Sequence, residues 1–259
     1  MATGRTSSAE PGGPRKIGLV TDCYVPRLGG IEMQVHDLAV RLQGAGHEVV
    51  VITPTDGPDV VDGVRVHRMD VPLLPFDIPF QPSTFDTVMR HLEAEEVDVA
   101  HFHGGIISPL AFVSAAHAVR RQIPTVVTIH CVWSYALPLF DVLNRRYHWD
   151  RWPAVLSAVS DVAAKPIRHL APDRDVMILP NGIDNDAWVI DPLPRDESVV
   201  TVVATMRLAP RKRPLHLLRM IRHVRDRVPP GIRVKLVVIG EGPERGSMEK
   251  YIAAHARMA

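Results

Sequence analysis

The order in which apolar runs alternate with amphipathic stretches constrains this chain more than any other feature. KIGLVT (16–21), HEVVVIT (47–53), VDVAHFH (97–103), TVVTIH (125–130), VLSAVS (155–160) and VMILP (176–180) have the length and apolar continuity of buried strands. Between the first two, Ile31, Val35, Leu38, Ala39 and Leu42 recur at helical spacing and stop near Gly44 and Gly46. The same reading predicts helices over 83–95, 107–121, 134–148 and 161–170. GVRVHRM (63–69) alternates as an edge or hairpin strand does, and VPLLPFDIPFQP (71–82) reads as a proline-rich loop. Strands that are apolar throughout, each followed by a helix, call for a parallel sheet covered on both faces. The fold class is therefore α/β.

The pattern breaks once. IDPLPRDES (190–198) is proline-rich and charged, which suits a hinge between domains. We read residues 1–15 as a disordered tail without a signal peptide, 16–190 as a first Rossmann-like domain, 191–198 as a linker and 199–259 as the start of a second. That second unit holds VVTVVATM (199–206), a helix over 214–227, KLVVIGEG (235–242) and a helix opening at Pro243, since proline suits a first helical position. Some 60 residues fall short of the ~100 that an independent doubly wound domain usually needs, so the expectation is an incomplete domain.

Bulk properties exclude more than they assign. Thirty Lys+Arg stand against 29 Asp+Glu, so charge gives no reason to propose a nucleic-acid partner. Cys23 and Cys131 are far apart, which suits a reducing cytoplasm and offers no disulfide framework. No run reaches the ~18 apolar residues of a membrane span, which leaves at most a peripheral contact with the inner membrane face.

In open parallel sheets, ligands bind beyond the carboxyl ends of the strands. Those ends read PRLGGIE (26–32), HFHGG (101–105), TIHCVW (128–133), PNGID (180–184), MRLAPRKRP (206–214) and GEGPE (240–244). Gly29 and Gly30 are either a flexible turn or a bare backbone through which a helix N-terminus approaches phosphate, and position alone weighs the two evenly. The spacing is not G-x-G-x-x-G, so a nicotinamide fingerprint is not supported. Arg207 and Lys212 are either a solvated basic loop or cations aimed at a departing diphosphate. His101 and His103 make an H-x-H pair with no nearby third ligand, so we expect no metal and assign them to the floor of a cleft. NRRYHWDRW (144–152) mixes arginines with tryptophans, either as an ordinary exposed helix end or as a membrane-surface or acceptor-lipid contact.

Taken together, GGIE, GHEV, the histidine-bearing strand end, T-x-H, NGID, R-x4-K and GEGPE resemble the GT-B retaining glycosyltransferases of family 4, from about residue 16 to the end. The first half is similar to enzymes that glycosylate phosphatidylinositol, both the bacterial mannosyltransferases and the N-acetylglucosaminyltransferases that begin GPI anchors. The resemblance implies two Rossmann-like domains and transfer of a hexose from a nucleotide-diphosphate sugar to an acceptor hydroxyl, without a required metal or cofactor. It implies phosphate contact at Gly29 and Gly30 and a leaving diphosphate held by Arg207 and Lys212. His130 becomes a group that positions the donor sugar, His103 a residue of the cleft floor and Asn181 part of a hinge. Gly240, Glu241 and Gly242 would form the loop beside the donor nucleotide. One departure stands out: Arg213 occupies a place where the family often has glycine. The family's E-x7-E motif has no counterpart here, so this chain alone is expected to turn over slowly or not at all. The alternatives are a partner-binding subunit or non-catalytic remnant and, less well matched, a sugar-nucleotide epimerase.

Overall fold

The computed structural model describes residues 12–74, 78–79, 81–105, 108–132, 137–191, 194 and 196–255. The tail expected over 1–15 falls mostly outside them, as do Trp133 and three linker positions. The chain divides into two compact units, Met1–Ile183 and Asp184–Ala259. This division cuts through the NGID motif, a few residues ahead of the proline-rich stretch.

In the first unit the strands and helices follow the expected order. They are β1 (Lys16–Thr21), α1 (Gly30–Gly44), β2 (Glu48–Thr53), β3 (Val60–Val61), β4 (Val64–Arg68), β5 (Leu73–Leu74), β6 (Ile78–Pro79), α2 (Pro82–Ala94), β7 (Val99–Gly104), α3 (Pro109–Arg120), β8 (Thr125–Ile129), α4 (Leu137–Tyr147), β9 (Ala154–Ala158), α5 (Asp161–Leu170) and β10 (Val176–Ile178). The proline-rich loop contains the small β5–β6 antiparallel pair. The main sheet has the order β10-β9-β8-β7-β1-β2-β4-β3. Every pairing in it is parallel except the β3–β4 hairpin.

This order fixes the site. From β1 the chain winds outward through β2 and β4, and then returns to β7 on the other side of β1 and winds the opposite way. The reversal lies between β1 and β7, the switch point beyond which ligands bind in open α/β sheets.

Strand alternation sorts the side chains into two cores. On one face Val20, Ile52, Phe102, Val127 and Leu156 pack under α2, α3 and α5. On the other, Leu19, Val51 and Val66 pack against Val35 and Ala39 of α1. Helix α1 ends because Gly46 turns left-handed at φ +92°, letting His47 N–H reach Leu42 O at 3.1 Å and Gly46 N–H reach Gln43 O at 2.9 Å. Helices α2 and α3 both begin on proline, whose absent N–H would have no helical partner there.

The second unit contains β11 (Val199–Thr205), α6 (Pro214–Arg225), β12 (Arg233–Ile239) and α7 (Arg245–His255). Strands β11 and β12 pair in parallel over seven residues, Val199–Thr205 against Arg233–Ile239. Helix α7 starts two residues after the expected Pro243. The reason is a long-range bond: Glu244 N–H is drawn to Leu208 O at 2.9 Å, which holds the segment as a turn before the helix can begin.

Candidate active site

Strand alternation turns His101 and His103 of β7, Thr128 of β8 and Ser157 of β9 to the sheet face opposite the main core. His103, Thr128 and Ser157 are register partners across three neighbouring strands. His101 Nε2 lies 2.6 Å from Thr128 Oγ1, which lies 2.6 Å from Ser157 Oγ. Ser157 Oγ is 3.3 Å from Val127 O. One assignment satisfies the whole row: His101 donates to Thr128, Thr128 to Ser157 and Ser157 to the carbonyl.

His130 sits just past β8, its backbone N–H donating to Gly104 O at 3.0 Å. Its Nε2 meets His103 Nδ1 at 3.0 Å, so one imidazole donates and the other accepts. The outer nitrogens, His103 Nε2 and His130 Nδ1, are buried without a partner among the described residues. Whichever tautomers the pair adopts, one donor and one acceptor remain open. Burial holds His101 and His130 down to about 4 and His103 well below its ordinary value. These rings are therefore neutral hydrogen-bonding groups at physiological pH. No group of three or more His, Cys, Asp or Glu suited to a metal ion occurs among the described residues.

Across the switch point, Asp22 follows β1 and its Oδ1 accepts from Leu110 N–H at 3.2 Å, in the first turn of α3. Ser108 Oγ in turn accepts from Gly105 N–H at 2.7 Å. Burial pushes the Asp22 carboxyl up to about 7, against the Ser108 hydroxyl and the Leu110 and Ala111 amides. Its Oδ2 also lacks a partner among the described residues. Sequence reading missed Asp22 and Ser157, and met Thr128 only as the first residue of T-x-H, without a role of its own. An aspartate after a strand reads as an ordinary turn residue, and two hydroxyls 29 positions apart carry no local signal.

The two glycines at the start of α1 prove to be different. Gly29 is the N-cap, in extended backbone, and a Cβ there would stand 2.3 Å from Glu32 Oε2. Glu32 folds back from the first turn, buried and 3.2 Å from Arg27 Nε. Gly29 thus leaves room for a side chain of its own helix. Around Gly30 a Cβ would meet nothing within 4 Å, so no side chain of its own helix claims that space.

In the second unit the structure brings Arg207 and the Gly240–Gly242 loop together. Leu208 N–H donates to Glu241 O at 2.8 Å, and Met206 N–H to Ile239 O at 3.0 Å. Gly240 and Gly242 lie at φ +149° and +152°, and a Cβ at Gly240 would stand 1.8 Å from Met206 O. Arg207 and Lys212 are exposed, Lys212 closing a 3-10 turn at Pro210–Lys212. Glu241 pairs with Arg245. Arg213 has φ +54° and ψ +47°, a left-handed conformation that favours glycine over a residue with a side chain. Asn181 is exposed in irregular chain beside the unit boundary.

Residues 28–187 match the family model Glycosyltransferase Family 4. The chain belongs to that family. It is 29% identical over 260 residues to a phosphatidyl-myo-inositol mannosyltransferase of Mycolicibacterium smegmatis, covering 93% of this chain and 64% of that one. It is 26% identical over 247 residues to a human phosphatidylinositol N-acetylglucosaminyltransferase subunit, covering 90% of this chain and 49% of that one. The chain thus spans about half the length of the human relative. Among solved structures, the catalytic domain of Arabidopsis thaliana starch synthase IV bound to ADP and acarbose superposes with a TM-score of 0.60 at 16% identity, over 95% of this chain and 72% of that one. The fold is the α/β GT-B type of these glycosyltransferases.

Proposed function

We propose that this family 4 chain takes part in transferring a hexose from a nucleotide-diphosphate sugar to a hydroxyl of an inositol phospholipid, with retention at the anomeric carbon. The observation that carries the reading is the His103–His130 pair beside the switch point, neutral and with outer nitrogens that meet no partner among the described residues. Neutral imidazoles suit the hydroxyls of a sugar, which both donate and accept. GDP-mannose or a UDP-sugar serves as donor, and no metal or cofactor is required. The open space at Gly30 accommodates phosphate at the α1 N-terminus. Arg207 and Lys212 stabilise the departing diphosphate, their exposure leaving the guanidinium and ammonium in reach of a ligand. Gly240, Glu241 and Gly242 border the nucleotide, and Asn181 belongs to the hinge. The lipid assignment rests on relatives named for phosphatidylinositol and on the arginines and tryptophans of residues 144–152. Transfer then takes place at the inner face of a membrane.

Calorimetry with UDP and GDP tests the reading. Binding of one nucleotide is expected, with Arg207→Ala weakening it about tenfold, or ~1.4 kcal/mol. Unchanged affinity in that variant counts against the diphosphate role. A second reading is a partner-binding subunit without turnover, favoured by the human relative, which is named as one subunit of its enzyme. Nucleotide binding without sugar transfer, even with phosphatidylinositol vesicles present, would select it.

A further inference from the structure

The near-balance of charge over the whole chain conceals a strong local imbalance. Residues 207–227 hold eight Lys+Arg and a single acid, Asp226, for a net charge of +7. The remaining residues hold 22 Lys+Arg against 28 Asp+Glu, a net charge of −6. The basic stretch runs from the loop after β11 through α6, so the net positive charge is concentrated around one helix of the second unit.

Helix α6 is held by its inward face. Pro214 and Leu218 are buried, and Leu218 clusters with Leu208 and with Met248 of α7. The outward face comprises His216, Arg219, Met220, His223 and Val224, with Arg227 just beyond the helix. These recur three or four positions apart, the spacing of one helical face.

The roles already described leave part of this charge unexplained. A diphosphate accounts for Arg207 and Lys212, and the helix dipole favours Arg222 and Arg225 in the last turn. Neither accounts for Arg219 in mid-helix or Arg227 past its end, and the dipole opposes Arg211 and Arg213 ahead of the first turn. Local carboxylates do not neutralise the face either. Elsewhere arginines sit in ion pairs, Arg121 with Glu93, Arg168 with Asp161 and Arg245 with Glu249. Here Arg225 meets Asp226 at 3.0 Å, and no carboxylate among the described residues pairs with Arg211, Arg213, Arg219 or Arg222.

Nor is the face purely polar. Met220 and Val224 are 53% and 40% exposed and lie one turn apart, among the cations. Exposed aliphatic side chains between arginines suit a partner with anionic oxygens above an apolar layer, which is what an anionic phospholipid surface offers. The phosphates of a nucleic acid match the charge but present no such layer to Met220 and Val224.

We infer that the outward face of α6 docks the second unit onto an anionic phospholipid surface. Its arginines meet the phosphates, and Met220 and Val224 enter the boundary beneath them. This face recognises anionic charge and not inositol, so it goes beyond the acceptor reading and does not depend on it.

Co-sedimentation of the full chain with vesicles tests the docking face, using phosphatidylcholine alone and an equimolar mixture with phosphatidylglycerol. Binding to the anionic vesicles only is expected, weakening as salt screens the charges. Arg219→Gln combined with Arg227→Gln should weaken it at least about tenfold. Met220→Ser combined with Val224→Ser should weaken it about threefold or more and leave the salt dependence in place. Arg121→Gln combined with Arg168→Gln removes the same charge from the first unit and should leave binding unchanged. All these positions are exposed, so level melting temperatures show that the variants remain folded. Folded α6 variants that sediment like the parent overturn the inference, as does a parent that ignores anionic vesicles or binds neutral ones equally. A first-unit pair that weakens binding as much as the α6 pair overturns it, because bulk charge would then be responsible. Loss confined to Arg145→Gln with Arg146→Gln overturns it while sparing the lipid-acceptor reading. A chain that ignores the vesicles but binds single-stranded RNA through Arg219 and Arg227 assigns the face to nucleic acid and overturns it as well. Docking as expected, without affinity for glycerophosphoinositol, leaves the face standing while the inositol acceptor falls.

Discussion

At the scale of single residues, glycines that look alike in sequence do different jobs. Gly240→Ala places a methyl group against the Met206 carbonyl in a conformation disfavoured for side chains. It should lower stability by about 2–4 kcal/mol in urea titrations of the intact chain. Gly30→Ala meets open space and should change stability by no more than about 0.5 kcal/mol. Gly30→Val should leave the fold in place and weaken nucleotide binding in the same calorimetry that tests Arg207. Arg213 offers the converse case. Its left-handed backbone costs roughly 1–2 kcal/mol, and glycine's extra freedom in the unfolded chain takes back part of the relief. Arg213→Gly should therefore raise the urea midpoint by the equivalent of about 0.5–1 kcal/mol. GEG was legible as a motif, but the cause of its glycines was not. The carbonyls that require them lie more than thirty residues earlier, and only folding brings them close.

At the scale of elements, most of the strands and helices were legible, because buried parallel strands are apolar throughout and their helices keep one apolar face. The two-residue strands β3, β5 and β6 were not, since two residues carry no period. Also hidden was the charge cluster at the amino ends of the strands. Glu95, just after α2, receives Lys16 at 2.8 Å, Arg65 at 2.9 Å and His67 at 2.7 Å. Burial would raise its carboxyl, but hydrogen bonds from Lys16 and His67 prevail and hold it near 2. Its stabilising effect is complete above the ordinary carboxylate value and is lost as pH falls toward 2. Glu95→Gln keeps the shape and removes the charge. It should cost about 1.5–3 kcal/mol at neutral pH, with the deficit shrinking in acid, read from urea midpoints across pH.

For the whole molecule, acid stability follows from groups that the fold forces into one protonation state. The depressed values of His101 and His130 mean that their contribution is complete above about 6.5 and is lost as pH falls toward 4, and His103, held down by burial, acts in the same direction. Asp22 acts in the other direction: its raised carboxyl favours the fold below its ordinary value, an advantage lost as pH rises through about 7. Near pH 5 the unfolded chain binds about two more protons at His101 and His130, a further share at His103, and about one fewer at Asp22. Stability should therefore rise with pH there, by at least about 1.4 kcal/mol per unit for the one net proton that His101, His130 and Asp22 leave. Denaturant midpoints between pH 4.5 and 6.5 read this slope, and a flat profile would show that the histidines remain solvated. The GT-B architecture was legible from motif order, because the motifs occupy the carboxyl ends of successive strands. How the site is charged was not, because burial depends on what packs over a ring.

The neutrality of the histidine row also changes how kinetic data on this protein should be interpreted. Activity that switches near pH 7 is ordinarily credited to an imidazole. In this chain the imidazoles of His101 and His130 have finished titrating well below that point, whereas the Asp22 carboxyl across the switch point has not. A midpoint near neutrality would therefore be the signature of Asp22, and the residue type usually assigned to acid pH would be the one keeping time.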